Sequence, residues 1–147
     1  MKPVTVSITV AKPPEQVFDF LEALPNHERF LDHYLTEWTF SGPDSGIGAK
    51  ARARANAVGS QDWFEFEVVE SEQPRRIAEL SSSAGGKRTT RGTYRLQDGP
   101  GGGTRITFEL EFLEAPRAER LASILTRAFA KRVNAKAMRR LAKQLDG

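Results

Sequence analysis

Residues 48–59 read GAKARARANAVG, and the way this stretch is taken decides the fold. Ala49, Ala51, Ala53, Ala55 and Ala57 alternate with Lys50, Arg52, Arg54 and Asn56. Alanine is the strongest helix former, but a period of two places every alanine on one face of a strand and every polar residue on the other. The stretch is a strand over 48–58, and one of its faces is unusually thin.

Outward from it, the chain keeps the same period. Val4, Val6, Ile8 and Val10 alternate with Thr5, Ser7 and Thr9, a half-buried strand. Further strands follow over 35–41, 62–70, 75–82, 87–97 and 104–113. The breaks are GPDSG, GSQ, SEQP, SAGG and DGPGGG, each a turn signal. Consecutive strands with such short turns pair antiparallel, because a parallel crossover needs a dozen residues or more. Between the first and second strands, Pro13 and Pro14 open a helix whose apolar stripe is Val17, Phe18 and Leu21. Pro25 stops it, and NHERFLDHYL reads as a short second helix. From Ala115 to Leu145 there is no Gly and no Pro after Pro116, which predicts one long helix. Its apolar residues drift: Leu121, Ile124, Leu125, Ala128 and Phe129 share one face, Met138, Leu141 and Leu145 roughly the opposite one. One sheet cannot bury both along a straight helix. A bend near Val133–Ala137, or a second contact surface for the last turns, is implied.

Composition narrows the classes. The chain has 147 residues, 39% of them hydrophobic and nine of them Phe, enough for one domain spanning 1–147 with a real core. No run approaches the ~18 apolar residues of a membrane span. MKPVTVSITV lacks the apolar block of a secretory signal. Without cysteine there is neither a disulfide scaffold nor thiolate chemistry, and a cytoplasmic protein is expected. Residues 117–147 hold nine basic and two acidic side chains, while 1–116 hold thirteen and seventeen. The net charge of +3 therefore hides a basic C-terminal helix on a mildly acidic body.

The segments ITVAKPPEQVFDFL, GPDSGIGAKARARA, FEVVESEQPRRIAEL and GTYRLQDGPGGGTRITFEL resemble the START-type, polyketide-cyclase-like (SRPBCC, helix-grip) superfamily over nearly the whole chain. The resemblance implies an α+β helix-grip fold, with a seven-stranded antiparallel sheet curled around a long C-terminal helix and two short helices after the first strand. It also implies a cavity between sheet and helix for an apolar or aromatic small molecule. Members of that superfamily include lipid carriers, aromatic cyclases and quinone-binding proteins, and fold alone does not choose among them.

On this reading the thin face has a use. Ala51, Ala53 and Ala55, turned inward, leave space for a ligand; close packing with no void is the alternative. Strand parity adds Trp38 and Phe40, then Phe64 and Phe66, then Thr90 and Tyr94, and finally Phe108 and Phe112 as cavity walls. Leu125 and Phe129 face them from the helix. The DGPGGG hairpin is expected to set Leu96 near Thr104, Tyr94 beside Ile106 and Gly92 beside Phe108. Arg91 and Arg95 project outward toward Glu109 and Glu111, a solvated ladder.

The sequence offers little for catalysis. His27 and His33, with Glu28 and Asp32, fall on different helix faces with no further His or Cys, so no metal site is formed. They read as two surface histidines, or as acid–base groups at the cavity mouth. No nucleophile stands out, no catalytic residue is assigned, and no cofactor is called for. Two function classes remain. In the first, the protein holds a hydrophobic or aromatic small molecule, as a carrier or as a cyclase/dehydrase-like enzyme. In the second, its basic helix docks an anionic partner (acidic protein, membrane or nucleic acid). The lack of interleaved aromatics argues against nucleic acid. For the last turns there are likewise two readings: Arg127, Lys131, Arg132, Lys136, Arg139, Arg140 and Lys143 form a solvated face covering the stripe, or Met138, Leu141 and Leu145 are a docking surface for a second copy of the chain or an acidic partner.

Overall fold

The computed structural model describes residues 1–55 and 62–147. The predicted tail of the third strand at 56–58 and the turn at 59–61 lie outside them. Seven strands, β1 Val4–Val10, β2 Leu35–Ser41, β3 Lys50–Ala55, β4 Trp63–Glu72, β5 Arg76–Ser83, β6 Arg88–Asp98 and β7 Thr104–Glu114, form one antiparallel sheet. Its order is β1-β7-β6-β5-β4-β3-β2. β1 and β2 thus stand at opposite edges, and the helical segment between them carries the chain across the concave face. That segment is α1 Pro14–Glu22, a 3-10 turn Leu24–His27 and α2 Glu28–Leu31. Val17, Phe18 and Leu21 of α1 are buried over β5 and β6, as their spacing predicts. No helix among the described residues is long and apolar enough to cross a membrane.

The C-terminal helix differs from its sequence expectation in two ways. It breaks at Ala122 (φ −101°, ψ 40°), which separates α3 Arg117–Leu121 from α4 Ser123–Asp146, and not at 133–137. Thr126 marks the break, its hydroxyl donating to the Glu119 carbonyl at 3.0 Å. The two apolar stripes also trade places. Ala137, Met138, Leu141 and Leu145 are the buried residues of α4 and join the main core with Val6, Val10, Phe18 and Leu21. Leu121, Ile124, Leu125 and Phe129 are exposed, and so is Ala128. The last turns are therefore no docking surface, because the sheet itself occupies their apolar face. Two of the helix's basic side chains hold it in place. Arg127 donates to the Lys2 and Pro3 carbonyls, and Arg140 pairs with Asp32 of the segment after α2. The end of α4 is pinned too, the Ala11 amide donating to the Asp146 carboxylate at 3.0 and 3.1 Å.

The hairpin register is shifted by two residues from expectation. Asp98 pairs with Thr104, Leu96 with Ile106, Tyr94 with Phe108 and Gly92 with Leu110, because the connecting turn takes only Gly99–Gly103. A shift of two preserves parity, so the predicted inward face survives. Arg95 does reach Glu109 at 3.5 Å, whereas Arg91 turns to Glu70 on β4.

Candidate functional site

The thin alanine face is packed. Ala53 and Ala55 are buried with Leu35 beneath Leu31, Tyr34, Trp38, Phe64 and Phe66, and Ala51 belongs to the main core. β2 and β4 flank β3 and lie two strand spacings apart, about 9.5 Å. Yet the rings of Trp38 on β2 and Phe66 on β4 stack at 5.9 Å, nearly parallel. They can meet only because β3 raises nothing taller than a methyl between them. Phe40 continues the stack from Trp38, and Phe64 from Phe66. The alanines therefore lie under an aromatic layer and do not line the space above it. The cavity expected at Ala51, Ala53 and Ala55 is corrected on this ground. Trp38 and Phe40 are also off the wall, since Trp38 packs on the core and Phe40 sits partly in solvent on the edge strand.

A cavity of about 450 Å³ opens instead further along the concave face, beneath the first half of α4. The structure brings together on its wall eight of the sequence-named residues: Phe64, Phe66, Thr90, Tyr94, Phe108, Phe112, Leu125 and Phe129. Tyr34 joins them, its ring edge-on to Phe64 at 5.8 Å and to Phe129 at 6.0 Å, so it bridges sheet and helix. Gly92 serves as a floor. A Cβ there would meet the Phe108 ring at 2.8 Å, so that only glycine lets the ring lie across β6.

Two ionisable side chains that the strands bring to the wall escaped the sequence reading. Arg88 leaves β6 at the same parity as Thr90 and Tyr94. It donates to Glu119 of α3 at 2.8 Å, to Asp62 at 3.0 Å and to the Ser83 hydroxyl at 2.8 Å. The Glu119 hydrogen bond comes first in raising the guanidinium's pKa above its ordinary value. A cation so held ties α3 to the sheet beside the cavity. The other group is Glu79 on β5, opposite Gly92 in the register and 6% exposed. Burial pushes its carboxyl up to about 7. Behind it His27, only 2% exposed, puts Nδ1 3.9 Å from a Glu79 oxygen while Nε2 meets the Leu21 carbonyl at 2.7 Å. Burial lowers that imidazole to about 4. His27 is thus a core residue and not a surface histidine; its partner His33 is part-buried, Nε2 3.3 Å from the Val133 carbonyl. Parity could have found Glu79, because Ile77, Glu79, Ser81 and Ser83 share the inward face of a central strand.

A family model described as polyketide cyclase / dehydrase and lipid transport matches residues 1–146. The chain belongs to that family. Its helix-grip sheet is similar to a protein of Thermus thermophilus, with 20% identity, TM-score 0.76, and coverage of 98% of this chain and 97% of that one. It is also similar to a conserved protein of Geobacillus kaustophilus, with 15% identity, TM-score 0.78, and coverage of 98% and 95%. A longer protein of the dynemicin biosynthetic locus matches over 99% of this chain and 47% of its own length, at 22% identity and TM-score 0.61. No curated protein matches at the level of sequence. Within the polyketide cyclase / dehydrase and lipid transport family, these likenesses concern the fold alone.

Proposed function

We propose that the protein binds a hydrophobic or aromatic small molecule, of the lipid, quinone or polyketide kind, between the sheet and α4. It does so as a carrier or as a cyclase/dehydrase-like protein. The observation that carries this reading is the cavity of about 450 Å³ with its mainly aromatic and aliphatic wall. Its size falls within the range of small-molecule sites, about 300–1,000 Å³. The printed description of the family supports the same ligand class, as does a structural relative encoded in a biosynthetic locus. A cytoplasmic setting accords with a chain that has no cysteine to oxidise.

Calorimetry with decanol, naphthalene and menadione as probes tests it. At least one class binds, and its affinity changes little with salt, since apolar burial is not screened as ion pairing is. Ala130 lines the wall from α4, so Ala130→Trp occupies the space and weakens binding by roughly tenfold or more, about 1.4 kcal/mol. Failure of all three probes, or binding that ignores Ala130→Trp, refutes the reading.

A further inference from the structure

Within the cavity one buried polar group has no partner, and its neighbours decide what can complement it. Glu79 stands on the wall, and its Oε2 makes no hydrogen bond. Among the described residues the only ion-pair neighbour is His27, at 3.9 Å, beyond hydrogen-bond reach. The Leu21 carbonyl can only accept, so the hydrogen of the neutral imidazole sits on Nε2. Nδ1 is then a lone pair turned toward Glu79. A carboxylate in that position would face another acceptor, and its Oε2 would have no hydrogen bond to replace lost water. A carboxylic acid holds a donor that still lacks an acceptor.

We propose that Glu79, keeping its proton, is the polar anchor of the cavity and donates a hydrogen bond to a carbonyl oxygen at the leading end of an otherwise apolar ligand. The inference rests on the cavity reading above and adds a substrate class to it: ketones, esters or quinones.

The groups around Glu79 agree. Tyr94, on the same wall, has its phenol pushed well above its ordinary 10 by burial and then by Glu79, so it remains an O–H donor. A carbonyl oxygen takes one or two donors. An ammonium group would instead need up to three acceptors, whereas a protonated Glu79 and the Tyr94 phenol present donors. Gly92, opposite Glu79, adds no polar group of its own, and the Phe108 ring lies across it. Burial holds the Glu79 proton up to about pH 7. From the elements packed around it, the titratable groups that face Glu79 are His27 and Tyr94. The buried residues of α1 are Pro14, Val17, Phe18 and Leu21, none of which titrates. Arg88 lies four residues along β6 from Gly92, about 13 Å away, and is engaged with Glu119.

The test uses the full chain and matched probes, acetylnaphthalene and ethylnaphthalene, titrated calorimetrically from about pH 5.5 to 8.5. The ketone binds more tightly than its hydrocarbon analogue at the acid end. Its advantage falls as Glu79 ionises, by roughly tenfold per pH unit beyond the carboxyl's titration. Ethylnaphthalene does not respond to pH. Glu79→Gln, which keeps a donor, retains the preference and loses the pH dependence; Glu79→Leu loses the preference and still takes ethylnaphthalene. The wild-type series stands even if either variant misfolds. Equal binding of the two probes at every pH overturns the anchor but leaves the cavity reading standing, and so does a preference that survives Glu79→Leu. Stronger binding of aminomethylnaphthalene than of the ketone overturns it in favour of a cation site. If neither naphthalene binds, the anchor is refuted, and the decanol and menadione titrations then decide whether the cavity reading falls with it.

Discussion

The two halves of α4 run over the same sheet to opposite effect. From Ala137 to Leu145 the helix buries four apolar residues in the main core, which β1 shares, with Leu141 at 0% exposure. From Ser123 to Val133 it stands off. Leu125 is 73% and Phe129 55% exposed, and both turn part of their surface to the cavity. A helix seated along its whole length would fill the space it now roofs. One seated nowhere would have nothing to hold it over the sheet. The contrast teaches that an apolar residue exposed over a cavity and one sunk in a core follow the same sequence pattern and differ only in what the sheet raises beneath them.

The largest test of this contrast is Leu141→Ala. Removing a fully buried leucine costs about 2–5 kcal/mol, read as a lower denaturation midpoint with unchanged slope in urea. A loss below about 1 kcal/mol would mean that the second half does not grip.

Where the closed and open regions meet, His27 and Glu79 give a pH signature of intermediate size. Glu79 holds its proton in the fold up to about 7 against an ordinary 4.5. Between those values the unfolded chain has released a proton that the folded chain keeps, so stability falls as pH rises and levels off above 7. His27 runs the other way. Its folded value is about 4 against 6.5, so in between the unfolded chain carries a proton that the fold excludes, and stability rises with pH. Each slope is at most about 1.4 kcal/mol per pH unit, and from 4.5 to 6.5 they oppose. Glu79→Gln removes one, leaving stability that climbs with pH up to 6.5; His27→Gln leaves only the decline toward 7. Chemical denaturation across this range checks both. A Glu79→Gln protein whose stability stays flat there speaks against a buried neutral His27.

The smallest effect is expected at Leu125→Ala. Stability stays within about 0.5 kcal/mol of the parent, while apolar probes bind more weakly because the cavity loses part of its roof. Should this change destabilise the fold as much as Leu141→Ala does, both halves of the helix grip alike and the comparison collapses.

Strand periodicity was enough to find the sheet. All seven strands fall within a residue or two of their expected places where the structure describes them, because alternation records which side of a strand faces the core. The helix was harder. Leu125 and Leu141 are equally apolar, and nothing within one helix says which of two stripes meets the sheet. The alanine face failed for a related reason: a small residue marks a gap only if no neighbour fills it, and here Trp38 and Phe66 reach across from both sides. Glu79 was passed over because a carboxylate is ordinarily a surface group. Only its parity with Ile77 marks it as internal, and its environment is assembled from the 3-10 turn, β5 and β6, which are distant in sequence.

That aromatic layer also makes the molecule its own optical instrument. Trp38, one of two tryptophans, is stacked at 12° on Phe66, whose ring belongs to the cavity wall. Trp63 sits at the other parity of β4, under the Arg52 guanidinium at 3.9 Å. One indole is coupled through a single ring to whatever occupies the cavity, and the other looks away from it. Near-ultraviolet circular dichroism and indole emission from Trp38 therefore register occupancy without a label, with Trp63 as the built-in reference.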